Sequence, residues 1–417
     1  MDSTYITNIK VNHVRHLKDI EIPLSESERK HLIITGKNGS GKTSLLEAIR
    51  LFLWFATDND LSHDWNIKKF ENCKDTLKYQ FEINKNMTKV SRQYIGDKYF
   101  ELFKNFSGVD IEFNSFDLTR SRINFIFAYY PAERTYYIPN EKGDKVNFQD
   151  NYKPYEHPGK DFVKYLKDLT SQEALFRNAG NIKRADEIKL WLNNFKNILR
   201  RIYDNDNLSL DLDIEQMKFF IKEPNKNPFS FDELASGYAA ILDVITDLMM
   251  RMEKKAGSKY DLPGIVLIDE VDAHLHLSLQ KNILPTLTTL FPNIQFIVTT
   301  HSPFVLNSIS NAVVYNLETQ TLVNTEEGLS RLPYSGIVEG YFGVSELSAK
   351  LKEKFERYKE LSKKAHFTDD DYNELGDLES YLDEIPDFLA LDIMSDYRQI
   401  KLELEQREEA EGNNGQM

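Results

Sequence analysis

Eight residues, 36–43, have the types and the spacing that bind a chain of phosphates. They fit the pattern G-x-x-x-x-G-K-[S/T], and they follow an apolar, β-branched run at residues 32–35. Glycines let backbone N–H groups approach phosphate oxygens, and the N-terminus of a following helix adds partial positive charge. The sequence therefore predicts a site for a nucleoside triphosphate between a buried strand and the start of a helix.

Each polar residue of this loop has a role in that chemistry. Lys42 is expected to reach the β- and γ-phosphates, and the hydroxyl of Thr43 is expected to hold Mg²⁺. A glycine-rich turn before an ordinary helix would explain the glycines, but not why a lysine and a threonine follow the last one directly. The residues expected to contact ATP are Gly36, Asn38, Gly39, Ser40, Gly41, Lys42, Thr43 and Ser44.

Two later apolar runs end in polar residues that would complete a hydrolysis site. Residues 264–268 are followed by Asp269 and Glu270, and residues 296–300 are followed by His301. Unbroken apolar runs are typical of parallel strands covered on both faces, and ligands bind at the carboxyl ends of such strands. We expect Asp269 to support the Mg²⁺ shell, Glu270 to act as general base, and His301 to sense the γ-phosphate and orient the water. Solvated acids and a surface histidine are the plainer interpretations.

A fourth segment, residues 231–238, precedes an apolar helix expected at residues 239–252. Ser236 and Gly237, at the start of that helix, would form a second anion site. One triphosphate does not need two anion sites in one chain, so we expect this site to complete the pocket of another subunit. The active form would then be a homodimer or a higher homo-oligomer, although Ser-Gly before a helix is also a common cap.

The turn after Glu270 contains three further candidates. Asp272 begins this turn and would hold a loop that faces a second subunit. His274 and His276 have a spacing that suits zinc, but no cysteine or carboxylate cluster follows them to complete a site. We therefore interpret the two histidines as structural residues of this loop, near the subunit interface.

The order of these four segments resembles the ABC-type ATPase heads of the RecF, SMC and Rad50 group. Residues 11–20 resemble the opening hairpin of that group, which implies that Arg15 lies near the nucleotide. Residues 234–238 are similar to its signature motif, which usually reads Leu-Ser-Gly-Gly-Gln. Residues 269–276 resemble its acidic motif and dimer loop, in a form closer to RecF and OLD-type ATPases than to transporters.

This resemblance implies a fold and an activity. The fold would be α/β, a P-loop NTPase of the ABC-ATPase head type with two lobes, a helical insertion and a helical C-terminal extension. The activity would be hydrolysis of ATP with Mg²⁺ as cofactor, in a dimer. Ala235 and Tyr238 depart from the signature motif. No glutamine in residues 131–134 matches the Q-loop of the group, and Arg134 is then a neighbour of the γ-phosphate or the adenine.

The C-terminal part narrows the function further. Residues 334–344 and the charged helices expected after them are similar to the tails of small bacterial anti-phage defence ATPases, such as those of the Septu and PARIS systems. That similarity implies an ATPase that assembles and controls a separate effector, a nuclease or a toxin. A RecF-like DNA-repair ATPase that acts directly on DNA, and a scaffold that binds nucleotide with negligible turnover, are the competing hypotheses.

Composition limits the classes of partner and the compartment. A net charge of −14 argues against general DNA binding by the monomer. Residues 160–201 are rich in lysine and arginine, so contact with nucleic acid stays open, although a solvated helix face explains them too. Cys73 is the only cysteine, no apolar run is long enough to span a membrane, and no signal pattern begins the chain. We therefore expect a cytoplasmic protein without a membrane partner.

The expected organisation has four parts. They are ATPase lobe I with the phosphate loop (residues 1–135), a polar loop and helical insertion (136–225), ATPase lobe II (226–325) and a helical C-terminal region (326–417). Alternating patterns predict antiparallel strands at residues 78–83 and 109–113. The insertion is expected to be a compact arm for subunit or partner contact.

The last region is expected to contain helices at residues 343–365, 368–385 and 391–409. Residues 369–371 are acidic, and we interpret them as the start of a helix rather than as a metal cluster. The remaining length is short for the TOPRIM domain of OLD-type nucleases. We therefore expect no nuclease activity in this chain.

Overall fold

A computed structural model gives the fold of most of the chain. The protein divides into two compact units, Met1–Leu332 and Pro333–Met417. Cys73 and the strand expected at residues 78–83 lie outside the described residues. The structure describes residues 4–57, 107–115, 125–134, 146–256, 260–326, 329, 336–337, 349–364, 366–385 and 391–414.

Strands and helices are numbered along the described residues. The strands are β1 (Ile6–Val14), β2 (Leu17–Pro23), β3 (His31–Thr35), β4 (Val109–Phe113), β5 (Ile126–Tyr130), β6 (Ser209–Asp213), β7 (Lys218–Lys222), β8 (Phe229–Ser230), β9 (Gly264–Ile268), β10 (Ile294–Thr299), β11 (Ala312–Asn316) and β12 (Thr321–Asn324). The helices are α1 (Lys42–Thr57), α2 (Phe162–Asn178), α3 (Ile182–Tyr203), α4 (Ser236–Ala256), α5 (Leu277–Leu290), α6 (Pro303–Leu306), α7 (Ala349–Ser362), α8 (Asp369–Asp383) and α9 (Leu391–Asn414).

A central sheet places the ends of three strands side by side. Within the described residues it has six strands, in the order β12-β11-β3-β10-β9-β5, and only β11 and β12 are antiparallel to each other. Strands β3, β9, β10 and β11 are buried along their whole length, as the unbroken apolar runs predicted. Because β10 lies between β3 and β9 and is parallel to both, the residues that follow these three strands meet at the carboxyl ends of the strands, called here the sheet edge. Strands from residues 1–135 and from residues 226–325 thus share one sheet.

Two smaller sheets are antiparallel. The first has the order β2-β1-β4, and Val11 lies opposite Ile20 in the hairpin that joins β1 to β2. The predicted hairpin and the predicted strand at residues 109–113 are therefore confirmed. Apolar side chains of this sheet share one core with α1 and the central sheet, for example Ile9, Phe52 and Leu267. The second small sheet, β6-β7-β8, follows the helical insertion.

The insertion forms an antiparallel pair of helices, α2 and α3, which confirms the helical periodicity of residues 160–204. Phe162 and Phe195 face each other with ring centroids 4.8 Å apart. The indole N–H of Trp191 donates a hydrogen bond of 2.6 Å to the hydroxyl of Tyr260, which lies just before β9. Phe195 also stacks on Phe231, next to the start of α4. One face of the arm is therefore covered by the first unit itself.

The C-terminal unit has its own core. Helices α7, α8 and α9 pack buried side chains together, among them Phe355, Leu382 and Tyr397. The side chain of Thr368 accepts the backbone N–H of Asp371, and the Asp371 carboxylate accepts the N–H of Thr368. This capping box confirms that the acidic residues at this position begin a helix. The predicted start of α9 is also confirmed, and no helix in the described residues is long and apolar enough to cross a membrane.

Gly264, the first residue of β9, allows β5 to lie close beside it. A Cβ at this position would stand 2.3 Å from the carbonyl oxygen of Ile126 in β5. We expect Gly264→Ala to lower the free energy of unfolding of the first unit by about 1–3 kcal/mol, because the strands cannot separate without losing hydrogen bonds. Urea unfolding checks this. Gly376→Ala, where a Cβ meets nothing within 4 Å, is the matched control, and equal losses in both variants would contradict the prediction.

Candidate nucleotide-binding and hydrolysis site

The phosphate loop joins β3 to α1, as the sequence predicted. Gly36, Gly39 and Gly41 have φ angles of +141°, +81° and +99°, a region that suits glycine and few other residues. A Cβ at Gly39 would meet no atom within 4 Å, so the backbone conformation and not the available space calls for glycine there. Such a backbone is typical of loops whose N–H groups surround an anion.

Lys42 folds back onto this loop. Its Nζ donates hydrogen bonds to the carbonyl oxygens of Gly36, at 2.9 Å, and Lys37, at 3.1 Å. Burial lowers the pKa of Lys42, while the charges of Glu270 and Asp269 act to raise it. The ammonium group thus lies within electrostatic range of the acids that end β9.

Three hydroxyl groups indicate that the loop fits a phosphate chain and a cation. The hydroxyls of Thr35 and Ser40 are buried and have no hydrogen-bond partner among the described residues. An unsatisfied buried hydroxyl costs about 1–3 kcal/mol, so a site that leaves two of them beside one loop is built for a ligand. The side chain of Thr43 is exposed at the start of α1. Lys42 and Ser40 would hold phosphate oxygens, and Thr43 and Asp269 would hold Mg²⁺.

The acidic turn, residues 269–272, follows β9. Thr299, the last residue of β10, holds this turn in place by hydrogen bonds. Its hydroxyl donates to the Asp269 carboxylate at 2.5 Å and accepts the backbone N–H of Glu270 at 2.7 Å. Asp269 is only 2% exposed, whereas Glu270 is partly exposed. The next residue of the chain, Thr300, donates to the carboxylate of Asp272. The end of β10 therefore holds two carboxylates of the neighbouring turn, those of Asp269 and Asp272, and the backbone N–H of Glu270 between them.

His301 follows directly and faces the same charges. Burial is the main cause that lowers its pKa, and the charge of Lys42 lowers it further, against the raising effect of Asp272 and Glu270. The imidazole is therefore neutral at neutral pH and can both donate and accept a hydrogen bond. The structure brings together the phosphate loop, Asp269, Glu270 and His301, which the sequence had placed far apart along the chain.

The signature segment does not join this group. Ser236 is exposed at the start of α4, and no hydrogen bond or ion pair found in the described residues links it to the phosphate loop. Gly237 packs against the turn after β9, since a Cβ there would lie 2.9 Å from the carbonyl oxygen of His274. Tyr238 stacks on Tyr203 of α3, with ring centroids 4.0 Å apart and planes 4° apart. The segment is thus fixed by its own chain while Ser236 faces outward.

Neighbours of the site include residues that sequence reasoning missed. Arg15 is exposed at the turn between β1 and β2, and it is the next residue, His16, whose Nε2 lies 3.1 Å from the carbonyl oxygen of Ser40. Nothing in the sequence distinguishes His16 from an ordinary turn residue. Thr299 had a signal, because a polar residue closes an apolar strand there. The ring of His276 lies near Ser278 at the start of α5, as a structural residue would.

A cavity of about 450 Å³ adjoins the phosphate loop. Its walls come from β2 and the preceding turn, from the loop itself and from the turn between β11 and β12. Lys37 of the phosphate loop and Glu318 of the turn between β11 and β12 form an ion pair of 2.7 Å, which joins these two walls of the cavity. The residues that line it are His16, Leu17, Lys18, Ile20, Lys37, Asn38, Gly39, Ser40, Leu317, Glu318 and Gln320.

A parallel sheet with this loop and this acidic edge defines the class of protein. It has an α/β P-loop NTPase fold with a helical insertion and a helical C-terminal region, which confirms the predicted fold class. Residues 32–307 match the family described as "AAA domain, putative AbiEii toxin, Type IV TA system", and the chain belongs to that family.

The chain is similar to two curated relatives and to one solved structure. It is 25% identical over 358 residues to the "Retron Vc95 probable ATPase" of Vibrio cholerae serotype O1 biovar El Tor, covering 70% of this chain and 69% of that protein. It is 27% identical over 374 residues to the "Septu protein PtuA" of Bacillus mycoides strain KBAB4, covering 85% of this chain but only 47% of that protein. The SMC head domain from Thermotoga maritima is similar with 13% identity and a TM-score of 0.35, over 75% of this chain and 94% of that chain.

Buried charges connect α4 to the end of β5. The carboxylate of Asp247 is fully buried and accepts hydrogen bonds from Arg251 Nε and from the hydroxyl of Tyr130, both at 2.7 Å. One turn earlier on the same helix, burial raises the pKa of Asp243 to about 7, the charge of Asp247 raises it too, and Arg134 opposes both. The raised pKa means that the charged form of Asp243 is unfavourable in the folded protein.

This buried carboxyl group makes stability depend on pH. Because the pKa of Asp243 is about 7 in the fold and near 4 in the unfolded chain, ionisation costs stability as the pH rises between these values. We expect Asp243→Asn to gain at least about 1 kcal/mol over the wild type between pH 5 and pH 8. Urea unfolding at several pH values measures the gap. The exposed Asp206→Asn is the control, and a gap that does not change with pH would contradict this account.

Proposed function

We propose that this chain is an ATP-hydrolysing head that works as a dimer with two ATP molecules between the subunits. One observation carries the proposal. Lys42, Glu270 and His301 meet at the carboxyl ends of the strands, while Ser236, at the start of α4, is exposed and has no hydrogen bond or ion pair to its own phosphate loop among the described residues. A second anion site at a helix start has a use if it binds the ATP held by the partner subunit.

The residues at the sheet edge have different roles in the proposed hydrolysis. Lys42 and the loop N–H groups would bind the phosphates, and Thr43 and Asp269 would hold Mg²⁺, which would supply positive charge beside them. Glu270 accepts a proton from the water that bonds to the γ-phosphorus as the bond to ADP breaks, which yields ADP and phosphate. The neutral imidazole of His301 orients that water or the γ-phosphate. The cavity beside the loop has the size of a small-ligand pocket and would take the nucleoside.

The cellular role we propose is control of a partner effector, a nuclease or a toxin, in anti-phage defence. The relatives support this role, because one is named as the ATPase of a retron and the other as a Septu protein, and the C-terminal part of this chain resembles the Septu ATPase. A closed dimer with ATP would be one signalling state and the open heads the other. Direct action on DNA is the competing proposal, and it would use the basic residues of the insertion.

Local charge pairing favours the effector over DNA. Arg177 of α2 forms ion pairs with Glu173 and Asp186, and Arg184 of α3 pairs with Glu187. Arginines that already have a carboxylate partner release fewer counterions when they meet a phosphate backbone. This pairing involves two of the ten lysines and arginines of residues 160–201, so the net charge of −14 is the broader argument against DNA.

Closure around ATP is the first testable consequence. We expect Glu270→Gln to slow ATP hydrolysis at least about a hundredfold and to hold a dimer with ATP and Mg²⁺, since proton acceptance is lost while binding is kept. Light scattering after size exclusion measures the mass. Adding Ser236→Arg should keep this variant monomeric, and adding Lys42→Ala should do so by removing ATP. Ser171→Arg, on an exposed part of α2, is the control, and a dimer that survives Ser236→Arg would contradict the shared site.

The identity of the partner is the second consequence. We expect tagged Glu270→Gln, purified from the native host with ATP and Mg²⁺, to recover a nuclease-like or toxin-like protein in stoichiometric amount. Mass spectrometry and nucleic-acid staining read the result, and the Lys42→Ala variant should lose the partner. DNA recovered alone, and lost as the salt concentration rises, would move the assignment to a DNA-repair ATPase.

A further inference from the structure

The segment after β5 brings an arginine to the back of the acidic turn. Arg134 Nη1 donates to the carbonyl oxygen of Asp269 at 2.8 Å, and Nη2 donates to the carbonyl oxygen of Glu270 at 2.9 Å. The planar guanidinium group thus bridges two successive peptide groups in a fixed geometry. These contacts place Arg134 behind the two acids, with the Nη groups used on the backbone and not directed at a phosphate.

Glu270 needs such support. Its φ angle is +45°, in the left-handed region that is unfavourable for a residue with a Cβ. Thr299 accepts its N–H, and Arg134 binds its carbonyl oxygen. The peptide groups on both sides of Glu270 are therefore held, and a strained conformation persists only where its surroundings hold it. The direction of the glutamate side chain follows from this conformation.

We infer that Arg134 is a positioning residue, which holds Glu270 in its working conformation through the two carbonyl oxygens that it binds. This inference rests on the proposed function, because Glu270 is there the general base. It replaces the expectation that Arg134 lies beside the γ-phosphate or the adenine.

Steady-state kinetics and nucleotide affinity separate the two roles of Arg134. We expect Arg134→Ala to lower kcat by about tenfold to a hundredfold, because a small misplacement of a catalytic group is enough to cost that much. The affinities for ATP and ADP should stay within about threefold of the wild type. Arg134→Lys, which can donate to one carbonyl oxygen but not bridge both, should recover part of kcat. Loss of ATP affinity with ADP affinity kept would instead make Arg134 a γ-phosphate ligand and overturn the inference.

Arg29→Ala is the matched control. Arg29 also donates to a backbone carbonyl oxygen, that of Pro292. Its Nε, like that of Arg134, is buried and has no partner among the described residues. Arg29 precedes β3 and so lies at the other end of the parallel strands from the site. Its variant should keep kcat near the wild-type value. Equal losses of kcat in Arg29→Ala and Arg134→Ala would show general destabilisation, and a wild-type kcat in Arg134→Ala would show that Glu270 does not need the arginine. Either result would overturn the inference.

Hydrogen–deuterium exchange keeps this test independent of turnover. We expect faster exchange in residues 269–273 of Arg134→Ala, and unchanged exchange there in Arg29→Ala. A wild-type protein that hydrolyses ATP no faster than Glu270→Gln would defeat the proposed function, yet the exchange result would still decide whether Arg134 holds this turn. Unchanged exchange of residues 269–273 in Arg134→Ala would overturn the inference by itself.

Discussion

Parallel pairing of β10 between β3 and β9 is the constraint on which the site depends. Ile297 of β10 pairs with Leu32 of β3 on one side and with Leu267 of β9 on the other. This register sets Thr299 beside Asp269 and brings the phosphate loop to the same edge. A shift by one residue would turn each side chain to the other face of the sheet, where it would have to pack among different neighbours, so close packing on both faces holds the register. The positions of the site residues that follow these strands therefore depend on how side chains pack on the two faces of the sheet.

Backbone contacts, more than contacts between side chains, position the acidic turn. Thr299 and Arg134 bind the peptide groups around Glu270, whose left-handed conformation directs the carboxylate. A buried hydroxyl and a buried guanidinium group suit this task, because each is costly to leave without a partner and therefore holds what it binds. A close backbone contact also fixes Gly237. Because Gly237 has no Cβ, the start of α4 can lie against the turn that contains His274.

Helix α4 links the signature segment to the central sheet. Its first residue, Ser236, is exposed, while the buried carboxylate of Asp247 in its middle accepts hydrogen bonds from Tyr130 of β5 and from Arg251. Tyr238 stacks on Tyr203, so the helical insertion also contacts this helix. Because buried charges cannot shift without losing their partners, Asp247 fixes α4 against the end of β5.

The sequence by itself determined the candidate site residues, because the proposed phosphate binding, metal binding and proton acceptance each require residue types that occur at fixed local spacing. The glycines before Lys42, the acids after β9 and His301 after β10 could be read without a fold, as could the strands and helices next to them. Only the tertiary structure decided which groups meet, since strand order and register are set by packing between distant segments. His16 beside Ser40 and Arg134 behind Glu270 have no sequence signal, because their contacts are to backbone carbonyl oxygens that every residue has.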